Sequence, residues 1–574
     1  MPLFEYTDDQ ALGKVASVDS ATVVVEVSNS DNLKKLQVNR LAVLHSSRPG
    51  QHLIGLISQV TRKKILDNEE ILDDEPNELN LCKVSLIGTL LDRDGERHNV
   101  FRRTLESVPE IDANCFALEG SELTSFMRVL SSVASEGKSL KLGTYTLDAE
   151  AEAFLNGNKF FQRHAFIGGS TGSGKSWTTA KIIEQMATLA ASNAIVFDIH
   201  GEYQPLKQKG ISHYRVAGPN DIEKGQGISD GVIFLPYWLL SYEALTSLFV
   251  DRSDQNAPNQ AMIMAREINN AKKRYLEQGD HTEVLESFTI DSPVPFKISN
   301  ILGSLNELNT EMVEGANNRP KQGEFNGKLS RLIARLENKV TDRRLGFLFQ
   351  GGDDTLEFEW LESLTNILLG SADENKSGGI KIIDFSEVPS DILPLIVSLV
   401  ARLAFSVQQW TSSDERHPIA LLCDEAHLYI PQRNSAAAVD DISISIFERI
   451  AKEGRKYGVG LVVISQRPSE VNKTLISQCS NFISMRLTNA DDQMVIKRLL
   501  PDSLGGISEV LPTLDTGEAL VVGDASLLPT RIRIEEPLQK PNSGTIDFWD
   551  EWQSAVVEKR LSKAVSNWRK QNSQ

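Results

Sequence analysis

The stretch Gly169-Ser170-Thr171-Gly172-Ser173-Gly174-Lys175-Ser176 fits the spacing G-x-x-x-x-G-K-[ST] at every fixed position. The chemistry explains the spacing. Gly169, Gly172 and Gly174 let the backbone turn its N–H groups inward around a phosphate, in conformations that other residues resist. A helix opening at this point aims its positive end at the same phosphate. Lys175 then reaches the β- and γ-phosphates, and Ser176 offers a hydroxyl to Mg²⁺. Thr171, Ser173 and Trp177 lie in the same loop and helix start and complete the expected nucleotide contacts. An apolar run from Ala165 to Ile167 precedes the loop, and a helical pattern follows from near Trp177, which is the context such a loop requires. The expected ligands are ATP and Mg²⁺.

Other polar residues stand at the ends of apolar runs. Pro418 to Cys423 leads into Asp424-Glu425-Ala426-His427. In that position the first carboxylate, Asp424, holds hydrated Mg²⁺ and the second, Glu425, orients and polarises the attacking water. Gly458 to Ser465 runs into Gln466, a side chain able to hydrogen-bond a γ-phosphate or the catalytic water. Ala194 to Phe197 ends in Asp198-Ile199-His200-Gly201-Glu202. His200 and Glu202 then sit at the carboxyl edge of a parallel sheet, where ligands bind in open α/β folds. The plainer reading of that segment is an acidic loop with an incidental histidine.

These residues need elements to position them. From residue 160 onward, buried-strand runs alternate with helical patterns, the signature of a mainly parallel α/β sheet. The expected fold is a RecA-like core over 160–204 and 376–534, interrupted by a helical insertion over 205–375. Within the insertion Lys328, Arg331, Arg335 and Lys339 share one helix face. They could contact phosphates, or form a solvated face with local ion pairs. Residues 1–100 hold short β-branched runs (Val23–Val27, Leu41–Leu44, Leu53–Ile57, Val84–Leu90), which suggest a small barrel. The acidic run Asp67–Glu78 reads as a solvated loop between strands. Residues 101–159 form a connector, with a helix near Ser121–Ala134 and a strand at Leu140–Tyr145. The tail, 535–574, ends in an amphipathic helix carrying Trp549, Trp552 and Trp568, which either clamps a neighbouring subunit or partner or covers the chain's own surface.

Composition sets outer limits. At 574 residues the chain exceeds one ordinary core. No apolar run reaches the roughly 20 residues that span a bilayer, and Met1 to Tyr6 carries no signal-peptide pattern. The four cysteines are scattered without a C-x-x-C pair, against a zinc site or disulfide framework and in keeping with a cytoplasmic protein. A net charge of −18 argues against a surface that coats nucleic acid, but not against a basic channel within an acidic shell.

Taken in order, Asn158-Lys159-Phe160-Phe161-Gln162-Arg163-His164, the Gly-rich loop, Asp198-Ile199-His200-Gly201-Glu202-Tyr203, Leu422-Cys423-Asp424-Glu425-Ala426-His427, Glu453-Gly454-Arg455-Lys456-Tyr457-Gly458 and Ile464-Ser465-Gln466-Arg467-Pro468 resemble the HerA family, in the HerA/FtsK group of P-loop ATPases. The β-rich first hundred residues look like that family's N-terminal barrel. The resemblance implies a hexameric DNA translocase or helicase, with ATP between subunits and double-stranded DNA in the central pore. It implies Lys175 and Ser176 on phosphates and Mg²⁺, Asp424 on Mg²⁺, Glu425 as catalytic base and Gln466 as γ-phosphate sensor. An arginine from the adjacent subunit would complete the site. Arg455 is the first choice from its Gly-Arg-Lys-Tyr-Gly context, with Arg449 and Arg486 still open. The family's barrel face docks a partner: a NurA-type nuclease, or in bacterial antiphage members a nuclease or sirtuin-like effector. Two other readings stay open, a ring scaffold in which ATP serves effector assembly, and a secretion or conjugation ATPase, whose usual membrane helices are not visible in this sequence.

Overall fold

The computed structural model describes residues 3–27, 32, 36–64, 78–95, 97–130, 139–146, 148–314, 319–370, 379–433, 438–499, 502–526, 528–544, 548–553 and 561–570. The acidic run expected as a loop lies outside these up to residue 77. The chain divides into two compact units. The first comprises Met1–Gln185, Gln466–Ser469 and Cys479–Leu538, and the second Met186–Ser465, Glu470–Gln478 and Gln539–Gln574.

The first unit opens with a closed antiparallel barrel. Its ring runs Thr22–Glu26, Gly13–Asp19, Asn114–Ala117, Leu41–His45, Gln51–Lys64 and Glu78–Asp94, which pairs back to Thr22–Glu26. Closure removes the unpaired edges that a small sheet would expose. Val15, Val23, Val25, Leu44, Leu53, Ile57 and Val84 fill its interior. The strand Asn114–Ala117 was not evident in the sequence, being short and flanked by Asp112 at positive φ.

The same unit holds the strand Ala165–Gly168, buried along its length and parallel to Asn481–Ser484. From there the ladder turns antiparallel through Glu518–Gly523, Thr530–Ile534, Ser139–Tyr145 and Asp148–Asn156. The expected strand at Leu140–Tyr145 therefore leads into a hairpin partner. The helix Gly120–Leu130 packs on that partner and buries Leu123, Phe126, Met127 and Leu130.

The second unit is built on parallel strands in the order Val232–Ile233, Ile211–Val216, Gly379–Asp384, Asn193–Asp198, Ile419–Cys423 and Val459–Ser465. Asn193–Asp198, Ile419–Cys423 and Val459–Ser465 are buried at every position, which is why they read as continuous apolar runs rather than alternating ones. The helix Leu393–Trp410 has mean hydropathy 1.3 over 18 residues and is 72% buried, so its apolarity is that of a core helix. It packs against Ala438–Glu453.

The stretch 205–375 is helical as expected in Tyr242–Phe249, Ala257–Gln278, Ile298–Thr310, Ser330–Thr341 and Trp360–Leu369. It also contributes the sheet strand Ile211–Val216 and a small hairpin, Met312–Glu314 with Pro320–Gln322. Lys328 precedes the helix Ser330–Thr341, while the other three residues of the expected face are in ion pairs: Arg331 with Asp254 at 3.8 Å, Arg335 with Asp251 at 3.5 Å and Lys339 with Asp391 at 3.5 Å. That is the local ion-pair reading rather than a free phosphate stripe. The tail forms Phe548–Gln553 and Leu561–Lys570, with Trp549, Trp552 and Trp568 exposed. The α/β class with an N-terminal barrel is thus the architecture observed.

Candidate nucleotide site

The Gly-rich loop leaves the buried strand Ala165–Gly168 and enters the helix Lys175–Ala187. Two of its glycines adopt left-handed φ, +73° at Gly172 and +109° at Gly174. A Cβ on Gly174 would also lie 2.9 Å from Met485 Cε. Gly169 has an ordinary φ, but a Cβ there would come within 2.4 Å of Ser173 Oγ and 2.8 Å of Met485 Cβ. Conformation requires two of the glycines and space requires the third.

Backbone bonds pin the loop. The Ser170 N–H donates to Arg486 O at 2.8 Å, the Ser173 N–H to Ser170 O at 3.1 Å, and the Gly517 N–H to Ser173 O at 2.9 Å. In the first helical turn, the hydroxyls of Thr178 and Thr179 donate to Gly174 O and Lys175 O at 3.0 and 3.1 Å. Thr171 and Trp177 are exposed, Ser176 half-buried, and Lys175 only 8% exposed. Ser173 is fully buried, and its hydroxyl oxygen has no hydrogen-bond partner among the described residues. The Thr171 hydroxyl donates to Gln466 Oε1 at 2.7 Å, so the expected loop and the expected sensor meet. A tight loop of backbone amides, a buried lysine and a helix N-terminus fits a nucleotide phosphate chain, and the Ser176 hydroxyl fits its Mg²⁺.

The entry to this strand is itself constrained. His164 is buried at φ +55°, a conformation that costs a non-glycine residue on the order of 1–3 kcal/mol. The Asn481 amide holds the turn by donating to Lys159 O at 3.0 Å and His164 O at 3.1 Å.

In the second unit, Asp424 and Glu425 follow the buried strand Ile419–Cys423 and are 4% and 7% exposed. Glu425 stands at φ 45°, ψ 44°. Left-handed non-glycine residues concentrate at functional sites, where surrounding contacts hold them. Here the Tyr429 hydroxyl donates to Asp424 O at 2.9 Å, and the Ser443 hydroxyl to Tyr429 O at 2.6 Å. Burial holds the Tyr429 phenol far above its usual range, so it remains a donor. His427 places Nδ1 3.3 Å from Glu425 Oε2. Nothing in residue type or spacing assigns His427 a role of its own, although it lies two residues beyond Glu425.

Asp198, His200 and Glu202 separate in function. Asp198 is fully buried and accepts the Glu202 and Tyr203 N–H groups, both at 2.9 Å. Burial pushes its carboxyl up to about 6, against those two N–H bonds, which favour the ionised form. It shapes the turn. His200 is exposed and Glu202 half-buried at that turn. Asp384 holds Gln204 Nε2 at 2.8 Å beside them.

The three candidate arginines differ. Arg449 pairs with Glu453 at 3.5 Å, bonds Gln409 at 3.2 Å and lies over the Phe405 ring at 5.1 Å. Arg486 is half-buried. Arg455 is exposed in the 3₁₀ turn Gly454–Tyr457. Among the described residues no group of three or more His, Cys, Asp or Glu side chains is placed to hold a metal, and all four cysteines are buried thiols.

A Gly-rich phosphate loop at the end of a parallel strand, in an α/β fold, defines a P-loop ATPase. Residues 140–404 match the family model described as "Helicase HerA, central domain". The chain is similar to HerA helicases over this region and beyond it. It is 24% identical over 566 residues to the "DNA double-strand break repair helicase HerA" of Sulfolobus acidocaldarius, covering 96% of this chain and 98% of that one. It is 25% identical over 419 residues to the protein of the same name from Pyrococcus furiosus, covering 69% of each. Among solved structures it resembles the plasmid coupling protein TrwB in complex with an ATP analogue, at TM-score 0.45 and 14% identity, over 74% of this chain and 94% of that one. It also resembles VirB4 of Thermoanaerobacter pseudethanolicus, at TM-score 0.42 and 17% identity, over 70% and 97%.

Proposed function

We propose that this chain is an ATP-driven motor on DNA, working as a hexameric ring with the duplex in its pore. The observation that carries the reading is the phosphate loop: two left-handed glycines, a buried Lys175 at a helix start, and Gln466 held by Thr171. The near full-length match to a protein named as a DNA double-strand break repair helicase supports DNA as the track.

In this reading the loop N–H groups and Lys175 bind the phosphates of ATP, with Gly169, Thr171, Gly172, Ser173, Gly174 and Trp177 completing the contacts. Ser176 and Asp424 are the residues that would hold Mg²⁺, which would neutralise charge on the phosphates. Glu425 orients and deprotonates the attacking water, Gln466 senses the γ-phosphate, and His200 and Glu202 line the strand end. Arg455, exposed and outside the network that holds Arg449, is the arginine offered to a neighbouring subunit. The barrel is the docking face for a nuclease or another effector, in end processing or antiphage defence. The setting is the cytoplasm, in keeping with four cysteines held as thiols.

The test is ATP hydrolysis measured with and without duplex DNA. The wild type is expected to accelerate on DNA, and Glu425→Ala to lose hydrolysis on every DNA. Hydrolysis indifferent to DNA of any type and length would remove the motor reading.

A further inference from the structure

We propose that His427 is a positioning residue for Glu425, its Nδ1 exchanging between the base and Ser465 at the end of the neighbouring strand. The inference rests on Glu425 being the base. His427 Nδ1 lies 3.3 Å from Glu425 Oε2 and 3.3 Å from Ser465 Oγ. One ring nitrogen therefore faces two groups: the Ser465 contact has hydrogen-bond geometry, and the Glu425 oxygen stands at ion-pair distance without it. A neutral imidazole nitrogen either carries a proton and donates, or is bare and accepts. With the proton on Nδ1 the ring attracts the carboxylate and fixes the oxygen that orients water. With the proton on Nε2, Nδ1 accepts from the Ser465 hydroxyl and its hold on Glu425 is lost. The two arrangements compete for one atom.

The surroundings make the competition matter. Ser465 is fully buried, Glu425 is 7% exposed, and the His427 side chain is 11% exposed, so bulk water is a poor substitute for either partner. The backbone of Glu425 is left-handed, and Tyr429 and Ser443 pin the turn that follows. Ser465 directly precedes Gln466 in the chain, so a shift at the end of Val459–Ser465 reaches the base through His427.

The experiment compares His427→Ala, His427→Asn and His427→Gln by steady-state ATP hydrolysis, with nucleotide affinity read by a fluorescent ATP analogue. His427→Ala is expected to lower kcat about 100-fold, the scale of a misplaced catalytic group, with KM and analogue affinity nearly unchanged. The Asn amide N–H can stand where Nδ1–H stands, so His427→Asn restores most of kcat, whereas the longer His427→Gln does not. Wild-type kcat in His427→Ala, or equal rates for the Asn and Gln variants, overturns the proposal. If the alanine variant does not fold, the Asn and Gln pair decides alone. Ser465→Ala should add no further loss in the His427→Gln background, and an additive loss breaks the link to the strand. Glu425→Gln and Lys175→Ala run alongside. Hydrolysis surviving in those two overturns the reading of the base itself, whereas its loss there with His427 indifferent overturns only this inference.

Discussion

Gly174 and Lys175 are neighbours with different requirements. Lys175 is needed for its charge. Lys175→Ala is expected to weaken ATP-analogue binding by at least about 100-fold, read with a fluorescent ATP analogue. Gly174 is needed for its backbone. Gly174→Ala forces a Cβ into a φ of +109° and to 2.9 Å from Met485 Cε. The expected cost is on the order of 1–3 kcal/mol, read as a lower Tm together with weaker nucleotide binding. An unchanged Tm would mean that the loop relaxes around the methyl. Of the arginines, Arg455→Ala should abolish hydrolysis while keeping nucleotide affinity if Arg455 is the proposed finger, since it would then touch only the neighbour's nucleotide. Wild-type hydrolysis in Arg455→Ala would pass the role to Arg449 or Arg486.

At the scale of elements, strand ends set protonation as well as position. The Asp198 carboxyl sits at about 6 because it is buried at the end of Asn193–Asp198, above the ordinary 3.8. The sign follows: a raised carboxyl contributes stability that is fully present below pH 3.8 and lost as pH rises through 6. The loss is about 3 kcal/mol from a shift of this size. Asp198→Asn removes the titration, so the Tm of wild type relative to the variant should fall between pH 4 and pH 7. A constant difference across that window would place Asp198 in water. Elements also show what the sequence could carry. The fully buried strands Ile419–Cys423 and Val459–Ser465 were legible as unbroken apolar runs, and so were the carboxylates and Gln466 that follow them. Asp148–Asn156 was not. Its buried residues are Ala151, Ala153 and Leu155, and alternating alanine and glutamate reads as helix by propensity until a strand partner is known. Ile211–Val216 was hidden in the same way, because only Val216 is fully buried. His427 was visible as a residue, but its ring matters through Ser465, which is 38 positions away and meets it only in the fold.

For the whole molecule, charge and threading belong together. If the chain, of net charge −18, holds DNA inside a ring as proposed, it should depend on access to an end. Linear duplex is expected to stimulate hydrolysis more than a covalently closed circle of the same length, and equal stimulation would argue for loading by ring opening. If the proposed DNA contacts are to phosphates, DNA affinity should fall steeply with salt. The central claim is movement, and displacement of a third strand from linear duplex reads it most directly. The wild type with ATP is expected to displace the strand, at a rate that tracks its hydrolysis, and Glu425→Gln is expected to displace none. Brisk hydrolysis without displacement, or displacement by Glu425→Gln, would contradict the account.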